Sequence, residues 1–316
     1  MFDLLKEIAA YDIITIFRHQ SADADALGSQ YGMKTFLKEC YPEKLVFALG
    51  EDVGSAAKLF PPIDHASDEQ IEKSCAIILD TANTERIDDQ RYSTAKKVIK
   101  IDHHIVVENF ADVSYVDTNA AATCEILAML FKRAEYQVSP ACAKYLYLGI
   151  LADSISFTTT STTQNTLLAA AYLVGCGLDV NKINQERTGI SVEDFKYATR
   201  IRERVKVEDK VAYSIMDADD YESLGLNYNL AKEKVYALSD VIDFEIYCLF
   251  TEDLTYGSKG LYNGSLRSKN VPINEIANVY NGGGHAHACG VKKLDINQIK
   301  NLIDDLLKLS NSHYLK

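Results

Sequence analysis

Apolar and polar positions alternate along the first hundred residues in a way that predicts strands separated by helices. Short runs rich in Ile and Val occur at Asp12–Phe17, Lys44–Leu49, Cys75–Asp80 and Lys97–Asp102. Uninterrupted apolar runs of this length are typical of strands buried on both faces of a parallel sheet. Between them lie segments with helical spacing, of which Ala26–Glu39 is the clearest. This alternation predicts an α/β domain with a doubly wound parallel sheet.

Helical patterns dominate the next part of the chain. They cover residues 118–134, 139–154, 161–177 and 191–207, and Thr118 and Asn119 are candidate N-caps for the first. The second is apolar on nearly every side, which is typical of a buried helix. The fourth is long, charged and amphipathic, and we interpret residues 191–208 as a helix that connects two domains.

A second pattern of elements begins after this helix. Strand patterns at residues 211–216, 245–251 and 261–268 are followed by a short helix at 273–280, the run NGGGHAHACG and a terminal helix at 296–309. We therefore predict a first domain at residues 1–190 and a smaller α+β domain at residues 209–316, a typical domain size.

Composition narrows the class of protein. The formal net charge is −12, which argues against coating of a nucleic-acid duplex but leaves room for a local basic pocket. No apolar run approaches the ~20 residues of a membrane span, and the first residues lack the basic start of a signal peptide. The seven cysteines form no CxxC pair, so we expect reduced, buried thiols. These features predict a cytoplasmic protein without a membrane partner.

Acidic and imidazole side chains gather where the predicted strands end. The first strand runs into the segment FRHQSADAD, the third ends at Asp80, and the fourth ends in an Asp-His-His sequence. In doubly wound sheets the carboxyl ends of the strands carry the ligand site. Asp153, near the end of the apolar helix, is a further candidate because a buried carboxylate needs a partner or a metal. The full set is His19, Asp23, Asp25, Asp80, Asp102, His103, His104 and Asp153.

Each of these residues also has an ordinary structural explanation. An aspartate before a helix is often an N-cap, and one after a strand is often a turn residue. Together, however, the residues exceed what one metal ion needs. The set fits two divalent ions that share a bridging carboxylate, an arrangement that activates water and clamps a phosphoryl group. The imidazoles favour a transition metal such as Mn²⁺.

The motifs that carry these residues resemble those of a known family. HQSADADALGS, LDTANTERID, IDHH and LADSISF resemble the four successive motifs of the DHH phosphoesterases, and NGSLRSK with GGGHAHACG resembles the DHH-associated C-terminal domain. The size and two-part layout are similar to the branch of nanoRNases and 3′-phosphoadenosine-5′-phosphate phosphatases. Ala22 stands where the family often has proline, and Cys289 where it commonly has serine.

The resemblance implies a role for each site residue. His19 and Asp23 would hold one Mn²⁺, Asp25, His103 and Asp153 a second, and Asp80 would bridge both. His104 would face the scissile phosphate, with Asp102 orienting an imidazole. In the second domain, Arg267, His285 and the glycine run would bind the nucleotide. Arg86, in the first domain, is a further candidate for a phosphate contact or, equally, a residue of a surface ion pair. The glycines in question are Gly282, Gly283 and Gly284.

The expected activity is Mn²⁺-dependent hydrolysis of very short RNA from its 3′ end, together with removal of the 3′-phosphate of 3′-phosphoadenosine-5′-phosphate. Alternatives are a phosphodiesterase for linear diadenylate, a pyrophosphatase and a non-catalytic nucleotide sensor. The partners would be short oligonucleotides or adenine nucleotides and no duplex, and we expect a homodimer.

Overall fold

The computed structural model describes residues 4–51, 53, 59–257 and 259–314. The chain divides after Gly189 into two compact units. Each unit has its own sheet and its own buried core.

The first unit alternates strands and helices in its first half and is helical in its second half. Two 3₁₀ turns, Thr84–Arg86 and Gln90–Thr94, lie between its third and fourth strands. Its strands are β1 Ile13–Phe17, β2 Leu45–Ala48, β3 Cys75–Leu79, β4 Lys97–Asp102 and β5 Val113–Val116. Its helices are α1 Leu4–Ile8, α2 Ala24–Cys40, α3 Asp68–Glu72, α4 Thr123–Arg133, α5 Pro140–Asp153, α6 Gln164–Gly175 and α7 Val180–Thr188.

The five strands form a parallel sheet in the order β2-β1-β3-β4-β5. The chain moves outward from β1 to β2 and then crosses back to β3, so the strand order reverses between β1 and β3. A ligand site is expected at this switch point, beyond the carboxyl ends of the strands. Strand β3 is buried along its whole length, as the continuous apolar run CAIIL predicts. The prediction of a doubly wound parallel sheet is confirmed.

Helices α2 and α5 approach each other closely beside this switch point. A Cβ atom at Gly28 would lie 2.5 Å from the carbonyl oxygen of Tyr145, and one at Gly149 would lie 2.7 Å from Oδ1 of Asp25. Glycine is therefore required at both positions by the neighbouring backbone and carboxylate. This close approach fixes the start of α2, where Asp25 lies, against α5.

The second unit is an α+β structure built on a mixed sheet in the order β10-β11-β9-β8-β7-β6. Strands β7 and β8 pair in parallel and the other neighbours are antiparallel. The strands are β6 Lys206–Glu208, β7 Val211–Met216, β8 Ile246–Glu252, β9 Tyr262–Ser268, β10 Gly283–His285 and β11 Ala288–Leu294. The helices are α8 Val192–Glu203, α9 Ala218–Glu222, α10 Tyr228–Lys232, α11 Asn274–Val279 and α12 Ile296–Tyr314, with 3₁₀ turns at Glu233–Leu238 and Leu254–Tyr256.

The connecting segment differs from the continuous helix expected over residues 191–208. Helix α8 ends at Glu203, and Lys206–Glu208 forms edge strand β6. Residues Tyr197, Ala198 and Ile201 of α8 pack into a core with residues of β7, α9 and α10. Helix α8 is therefore part of the second unit, because its apolar face is buried there.

Helix α4 also begins later than expected. The candidate caps Thr118 and Asn119 lie in the turn before it, the N-cap is Ala122 and the first helical residue is Thr123. Ala122 has no side-chain oxygen, so the acceptor for the free N–H groups of this helix must come from another element.

Two further expectations concern the cysteine thiols and helices that could cross a membrane. The seven cysteines are free, and all but Cys40 are buried. Within the described ranges no single helix is long and apolar enough to cross a membrane. The two helices Gln164–Gly175 and Val180–Thr188, bent by 110° relative to each other, reach the required length and apolar composition only when they are taken together.

Candidate metal centre

His19 lies two residues beyond the carboxyl end of β1 and is nearly buried. Its Nδ1 is 2.7 Å from the carbonyl oxygen of Gln20, and since a carbonyl only accepts, Nδ1–H is the donor. In the neutral form of this imidazole the lone pair therefore resides on Nε2, which lies 3.6 Å from Oδ2 of Asp23 and 3.5 Å from Oδ2 of Asp80. Three acceptor atoms thus face one another around a small space.

Asp23 is both a helix cap and a member of this cluster. Its Oδ1 accepts hydrogen bonds from the backbone N–H groups of Asp25 and Ala26, each at 3.0 Å, and so caps α2. Its Oδ2 faces His19 instead. The structural and the metal-binding explanations of Asp23 hold at once, because the carboxylate has two oxygens that point in different directions.

Asp80 is the centre of the arrangement. It follows β3 with φ of 53°, a left-handed conformation that is uncommon for a residue with a side chain. Its carboxylate is almost fully buried: Oδ2 faces Nε2 of His19, and Oδ1 lies 3.4 Å from Nε2 of His103. One carboxylate therefore presents a separate oxygen to each of two imidazoles.

His103 completes the opposite side. Its Nδ1–H donates to the carbonyl oxygen of Ala120 at 3.3 Å, which again places the lone pair of the neutral ring on Nε2. This Nε2 lies 3.4 Å from Oδ1 of Asp80 and 3.4 Å from Oδ2 of Asp153. A backbone carbonyl as partner of the remote ring nitrogen is the usual support of a metal-binding histidine.

Asp25 is fully buried and is held by the start of helix α4. Its Oδ2 accepts from the N–H of Thr123 at 2.7 Å and its Oδ1 from the N–H of Cys124 at 3.0 Å. Asp25 thus supplies the acceptor that Ala122 cannot, and the positive end of the helix dipole favours its charge. The side chain of Thr123 also donates to Oδ1 of Asp80 at 3.1 Å.

The supporting role of Thr123 and Cys124 could not be predicted from the sequence. Their role depends on a contact between α2 and α4 that joins residues about a hundred positions apart. The only local signal is a helix start in the segment AAATCE without a side-chain cap.

Asp153 is the last residue of α5, and the chain turns sharply after it. Ile155, Ser156 and Phe157 follow one another with φ of 44°, 58° and 68°. Ser154 holds this turn, since its Oγ accepts from the N–H of Phe157 at 3.0 Å. Three successive left-handed residues without glycine are costly, which is typical of backbone that places a functional group.

His104 and Asp102 form a pair beside the cluster. Nδ1–H of His104 donates to Oδ1 of Asp102 at 2.7 Å. The other oxygen of Asp102 lies 3.1 Å from Nζ of the buried Lys100, which compensates its charge. Asp102 therefore orients His104. Nδ1 of His104 also lies 3.6 Å from Oδ1 of Asp80, but its hydrogen is already donated to Asp102.

The pKa values show that the cluster carries an excess of negative charge. Burial by itself lowers the pKa of His19, but hydrogen bonds to Asp23 and Asp80 outweigh it and raise the pKa to about 10. For His103, burial is likewise outweighed by Asp80 and other nearby carboxylates, and the pKa rises to about 9. Burial, with the charges of Asp80 and Asp23, raises the pKa of Asp153 to about 6.

The two most buried carboxylates shift in opposite directions. Burial, followed by the charges of Asp80 and Asp153, raises the pKa of Asp25 well above its ordinary value. Burial would raise the pKa of Asp80 too, but its bonds to His103 and His19 lower it. Asp80 is therefore ionised at neutral pH, while His19 and His103 keep their protons in the absence of a cation.

These donor atoms fit divalent cations. Oxygen and nitrogen ligands within 4.8 Å of one another occur in three overlapping groups: His19 with Asp23 and Asp80; Asp25 with His103 and Asp153; and Asp80 with His103 and His104. Lone pairs of neutral imidazoles that face carboxylates repel them unless a proton or a cation lies between. Carboxylate and imidazole together suit transition metals better than an all-oxygen site would.

Arg86 lies in the exposed turn Thr84–Arg86 next to this centre. Its backbone oxygen accepts from the N–H of Gln20 at 2.7 Å, and His19 forms an isolated bridge with Ile87. No hydrogen bond or ion pair of the Arg86 side chain is seen among residues 4–51, 53, 59–257 and 259–314.

The candidate nucleotide-binding residues lie in the second unit. Arg267 is on β9, paired with Tyr247 of β8 and Ala288 of β11, and its Nη1 donates to the carbonyl oxygen of Leu266 at 2.8 Å. His285 ends β10 and is exposed. The Sγ of Cys289 donates to the carbonyl oxygen of His285 at 3.0 Å, so this thiol supports the β10–β11 hairpin.

The glycine run has a clear packing role. A Cβ at Gly282 would lie 2.1 Å from the carbonyl oxygen of Gly290. Gly284 has φ of +139°, and a Cβ at this position would lie 2.4 Å from the carbonyl oxygen of Ala288. Gly283 has open space by comparison, its nearest atom being 3.6 Å away. Gly283 and Gly284 lie in strand β10, and glycine at 282 and 284 lets this short strand lie close to β11.

Comparison with known proteins identifies the class that the fold and the site define. Residues 13–150 match the N-terminal domain of the DHH family, and residues 208–311 match the DHHA1 domain. The chain is 31% identical over 315 residues to the bifunctional oligoribonuclease and PAP phosphatase NrnA of Bacillus subtilis, covering 98% of this chain and 99% of that protein. It is 30% identical over 317 residues to the protein MG371 of Mycoplasma genitalium, covering 98% and 96% respectively.

A solved structure shows the same fold. The exopolyphosphatase-related protein from Bacteroides fragilis superposes with a TM-score of 0.76 at 22% identity, covering 96% of this chain and 94% of that one. The chain belongs to the DHH phosphoesterase family and is a hydrolase, as the motifs predicted. The clusters of acidic and imidazole side chains described above are where the divalent metal of this family would bind.

Proposed function

We propose that this protein is a Mn²⁺-dependent phosphoesterase that hydrolyses very short RNA from the 3′ end and removes the 3′-phosphate of 3′-phosphoadenosine-5′-phosphate. The observation that carries the proposal is Asp80, whose two oxygens face the imidazoles His19 and His103 separately. The full-length likeness to a protein named for both activities supports the choice of substrates.

Two ions fit the charge of the cluster. Asp23, Asp25, Asp80 and Asp153 carry four negative charges when ionised, which two divalent cations would neutralise. His19 and Asp23 would hold one ion and Asp25, His103 and Asp153 the other, with Asp80 bridging. Bound ions of this kind supply Lewis-acid activation of the phosphoryl group and of the attacking water.

His104 is proposed to act on the substrate rather than on metal. Because its Nδ1–H is engaged by Asp102, only Nε2 is available to a ligand. His104 is also the most exposed imidazole around Asp80, with 36% of its side chain accessible against 16% for His103 and 6% for His19. We assign it the donation of a proton or hydrogen bond to the scissile phosphate, with Asp102 as its positioning residue.

The remaining contacts are assigned to the nucleotide. Arg267 offers a planar guanidinium that suits a phosphate, and His285 is exposed beside it across the β10–β11 hairpin. Gly282, Gly283 and Gly284 are proposed to let the substrate approach the backbone, and Arg86 to contact a phosphate from the first unit. Homodimer formation and a cytoplasmic location stay predictions of the sequence.

One panel of substrates tests the proposal. Protein stripped with a chelator is given Mn²⁺ or Mg²⁺ and offered RNA of two to ten nucleotides, 3′-phosphoadenosine-5′-phosphate, linear diadenylate and pyrophosphate. We expect turnover of the shortest RNAs and of 3′-phosphoadenosine-5′-phosphate, faster with Mn²⁺, because imidazole ligands disfavour Mg²⁺.

The panel separates the alternatives. Turnover of linear diadenylate far above all other substrates would replace the proposal with a dinucleotide phosphodiesterase. Turnover of pyrophosphate alone would indicate a pyrophosphatase, and nucleotide binding without turnover in either metal would indicate a sensor.

A further inference from the structure

The segment that follows His104 is apolar and exposed. Ile105, Val106 and Val107 have 77%, 48% and 67% of their surface accessible to solvent. Three consecutive aliphatic side chains that stay in water forgo the free energy that their burial would provide. No described residue of the first unit covers them. A contiguous exposed apolar segment of this kind marks a binding surface.

Both ends of this segment are held in place, one within the metal centre and the other in the turn next to it. At one end, His104 is held by Asp102 through Nδ1 and through its backbone N–H. At the other end, the carboxylate of Glu108 accepts from the backbone N–H and the hydroxyl of Thr84, each at 2.9 Å, in the turn that carries Arg86. With Cα atoms ~3.8 Å apart, Val107 lies within ~11 Å of His104.

The position of this surface next to His104 indicates which class of ligand it binds. A phosphate that reaches Nε2 of His104 brings a sugar and a base within one nucleotide of it. Glu108 is the charged residue of the segment and is turned onto Thr84, so residues 105–107 offer an uncharged surface in a protein with a net charge of −12. Aliphatic side chains can cover a base without reading its hydrogen-bonding edge.

We propose that Ile105–Val107 is a nucleoside platform that covers the base of the nucleotide adjoining the scissile phosphate, independently of which base it is. This inference rests on the proposed function, since it needs a nucleotide substrate. The platform would act on binding rather than on chemistry, because it touches the nucleoside and not the reacting atoms.

The test combines a double variant with substrates that lack one base. Ile105→Ser with Val107→Ser removes the aliphatic surface, and Leu167→Ser, at an exposed position of α6, is the matched control. Substrates are the 5′-phosphorylated adenine dinucleotide and two analogues that lack the base at the 5′ or the 3′ position. The KM and kcat of hydrolysis are measured, together with the Kd of a non-hydrolysable phosphonate-linked dinucleotide.

We expect the double variant to raise KM and Kd about tenfold, while kcat stays within about twofold of the wild-type value. A tenfold loss of affinity is the size expected when two aliphatic side chains that partly cover a base are removed. For one abasic analogue, wild type and variant should have the same KM, because the base that the platform covers is missing. Leu167→Ser should match wild type throughout. Replacement of the pair by Ile105→Leu with Val107→Ile should restore KM.

Three results would overturn the platform. The first is that KM and Kd stay unchanged in the double variant. The second is that the double variant raises KM equally on the full dinucleotide and on both abasic analogues. The third is a change of oligomeric state in sedimentation, which would assign the segment to contact with a second copy. Failure of wild type to hydrolyse any RNA would instead refute the proposed function itself.

Discussion

At the scale of single residues, Asp80 combines a strained backbone with a fully specified side chain. A non-glycine residue with φ of 53° costs on the order of 1–3 kcal/mol. The conformation allows its oxygens to face His19 on one side and His103 on the other. The same carboxylate accepts a hydrogen bond from Thr123, so its orientation is fixed before any cation binds.

Asp80→Asn is expected to abolish turnover. An amide offers one oxygen where the carboxylate offers two, so it cannot serve both halves of the cluster. Activity should fall by at least roughly 10²–10³-fold, the cost of losing one essential electrostatic contact. Metal content by atomic emission should fall from two ions toward one or none, whereas Asp12→Asn at an exposed position should keep both. Near-normal hydrolysis by Asp80→Asn at low Mn²⁺ would contradict the bridging assignment.

His104→Ala should separate chemistry from metal binding. In His19 and His103 the ring nitrogen that faces Asp80 is the free Nε2, whereas in His104 it is Nδ1, which is already bonded to Asp102, so His104 is not expected to hold an ion. We predict that kcat falls roughly 10²–10⁴-fold, the usual range for a general acid or base, with metal content unchanged. Asp102→Asn should lower kcat in the same direction through loss of ring orientation. If His104→Ala loses metal together with activity, His104 is a ligand.

The pKa values of the imidazoles predict that metal binding releases protons. His19 and His103, with pKa values of about 10 and about 9, both hold a proton at pH 8 when no cation is present. A metal needs the free lone pair of Nε2, so both protons must leave. Apparent metal affinity should therefore rise with pH up to these pKa values and fall as the solution becomes more acidic.

Calorimetry in two buffers of different ionisation enthalpy counts these protons. We expect at least two released at pH 8, and more at pH 6, where Asp153 with a pKa of about 6 is about half protonated. His103→Ala should release one fewer and His104→Ala the same number as wild type. A count near zero at pH 8 would show that the imidazoles are not the ligands.

At the scale of elements, the centre depends on how three helices meet. Asp25 in the first turn of α2 is bonded to the start of α4 and lies against Gly149 of α5. Asp153 is the last residue of the same helix α5, one turn after Gly149. A change in the spacing of α2 and α5 therefore moves ligands on both helices.

Gly149→Ala tests this dependence, with Gly175→Ala as its matched control. A Cβ at 149 would lie 2.3 Å from Sγ of Cys124 and 2.7 Å from Oδ1 of Asp25, whereas one at 175 has no atom within 4 Å. Overpacking should destabilise Gly149→Ala by about 1–3 kcal/mol and weaken Mn²⁺ binding. Gly175→Ala should be stabilised by up to about 1 kcal/mol through helix propensity. Thermal unfolding and metal titration measure both, and equal behaviour of the two variants would refute the spacing argument.

The sequence predicts long, strongly patterned elements well and short ones poorly. The buried strands β1, β3 and β4 and the helices α2 and α5 were expected from continuous apolar runs and helical spacing. Strand β5 has only four half-exposed residues, and β10 consists of glycines and a histidine, which have low strand propensity. Both form because a neighbouring strand supplies their hydrogen bonds.

The same difference holds within the site. The donor side chains could be predicted because each lies in or next to the terminal turn of a recognisable helix or the carboxyl end of a recognisable strand. The bonds from Thr123 and Cys124 to Asp25 could not, because they depend on tertiary contact rather than on local pattern. The three left-handed residues after Asp153 are likewise ordinary in sequence, since none is glycine.

At the scale of the whole molecule, the residues assigned to metal and those assigned to the nucleotide lie in different units of the chain. His19, Asp80 and His103 belong to the first unit, and Arg267 and His285 to the second. A metal centre that acts on one phosphate, as proposed, cannot by itself measure the length of an oligonucleotide. We therefore assign preference for very short substrates to contacts of the second unit, which a net charge of −12 allows because no extended track for a phosphate backbone is required.

Arg267→Ala tests that assignment, with Lys300→Ala, at an exposed position of α12, as the control for loss of a cation. A charge-assisted contact is worth about 1.5–3 kcal/mol, which corresponds to a rise in KM of roughly ten- to a hundredfold for dinucleotides. Hydrolysis of methyl p-nitrophenyl phosphate, which has one phosphate and no nucleoside, should hardly change, because it needs only the metal centre and His104. Lys300→Ala should match wild type on both substrates. If Arg267→Ala slows both substrates equally, the variant has disturbed the fold or the metal centre and the second unit does not select substrate length. If neither substrate is affected, Arg267 does not bind the nucleotide, and selection by length must come from the first unit alone.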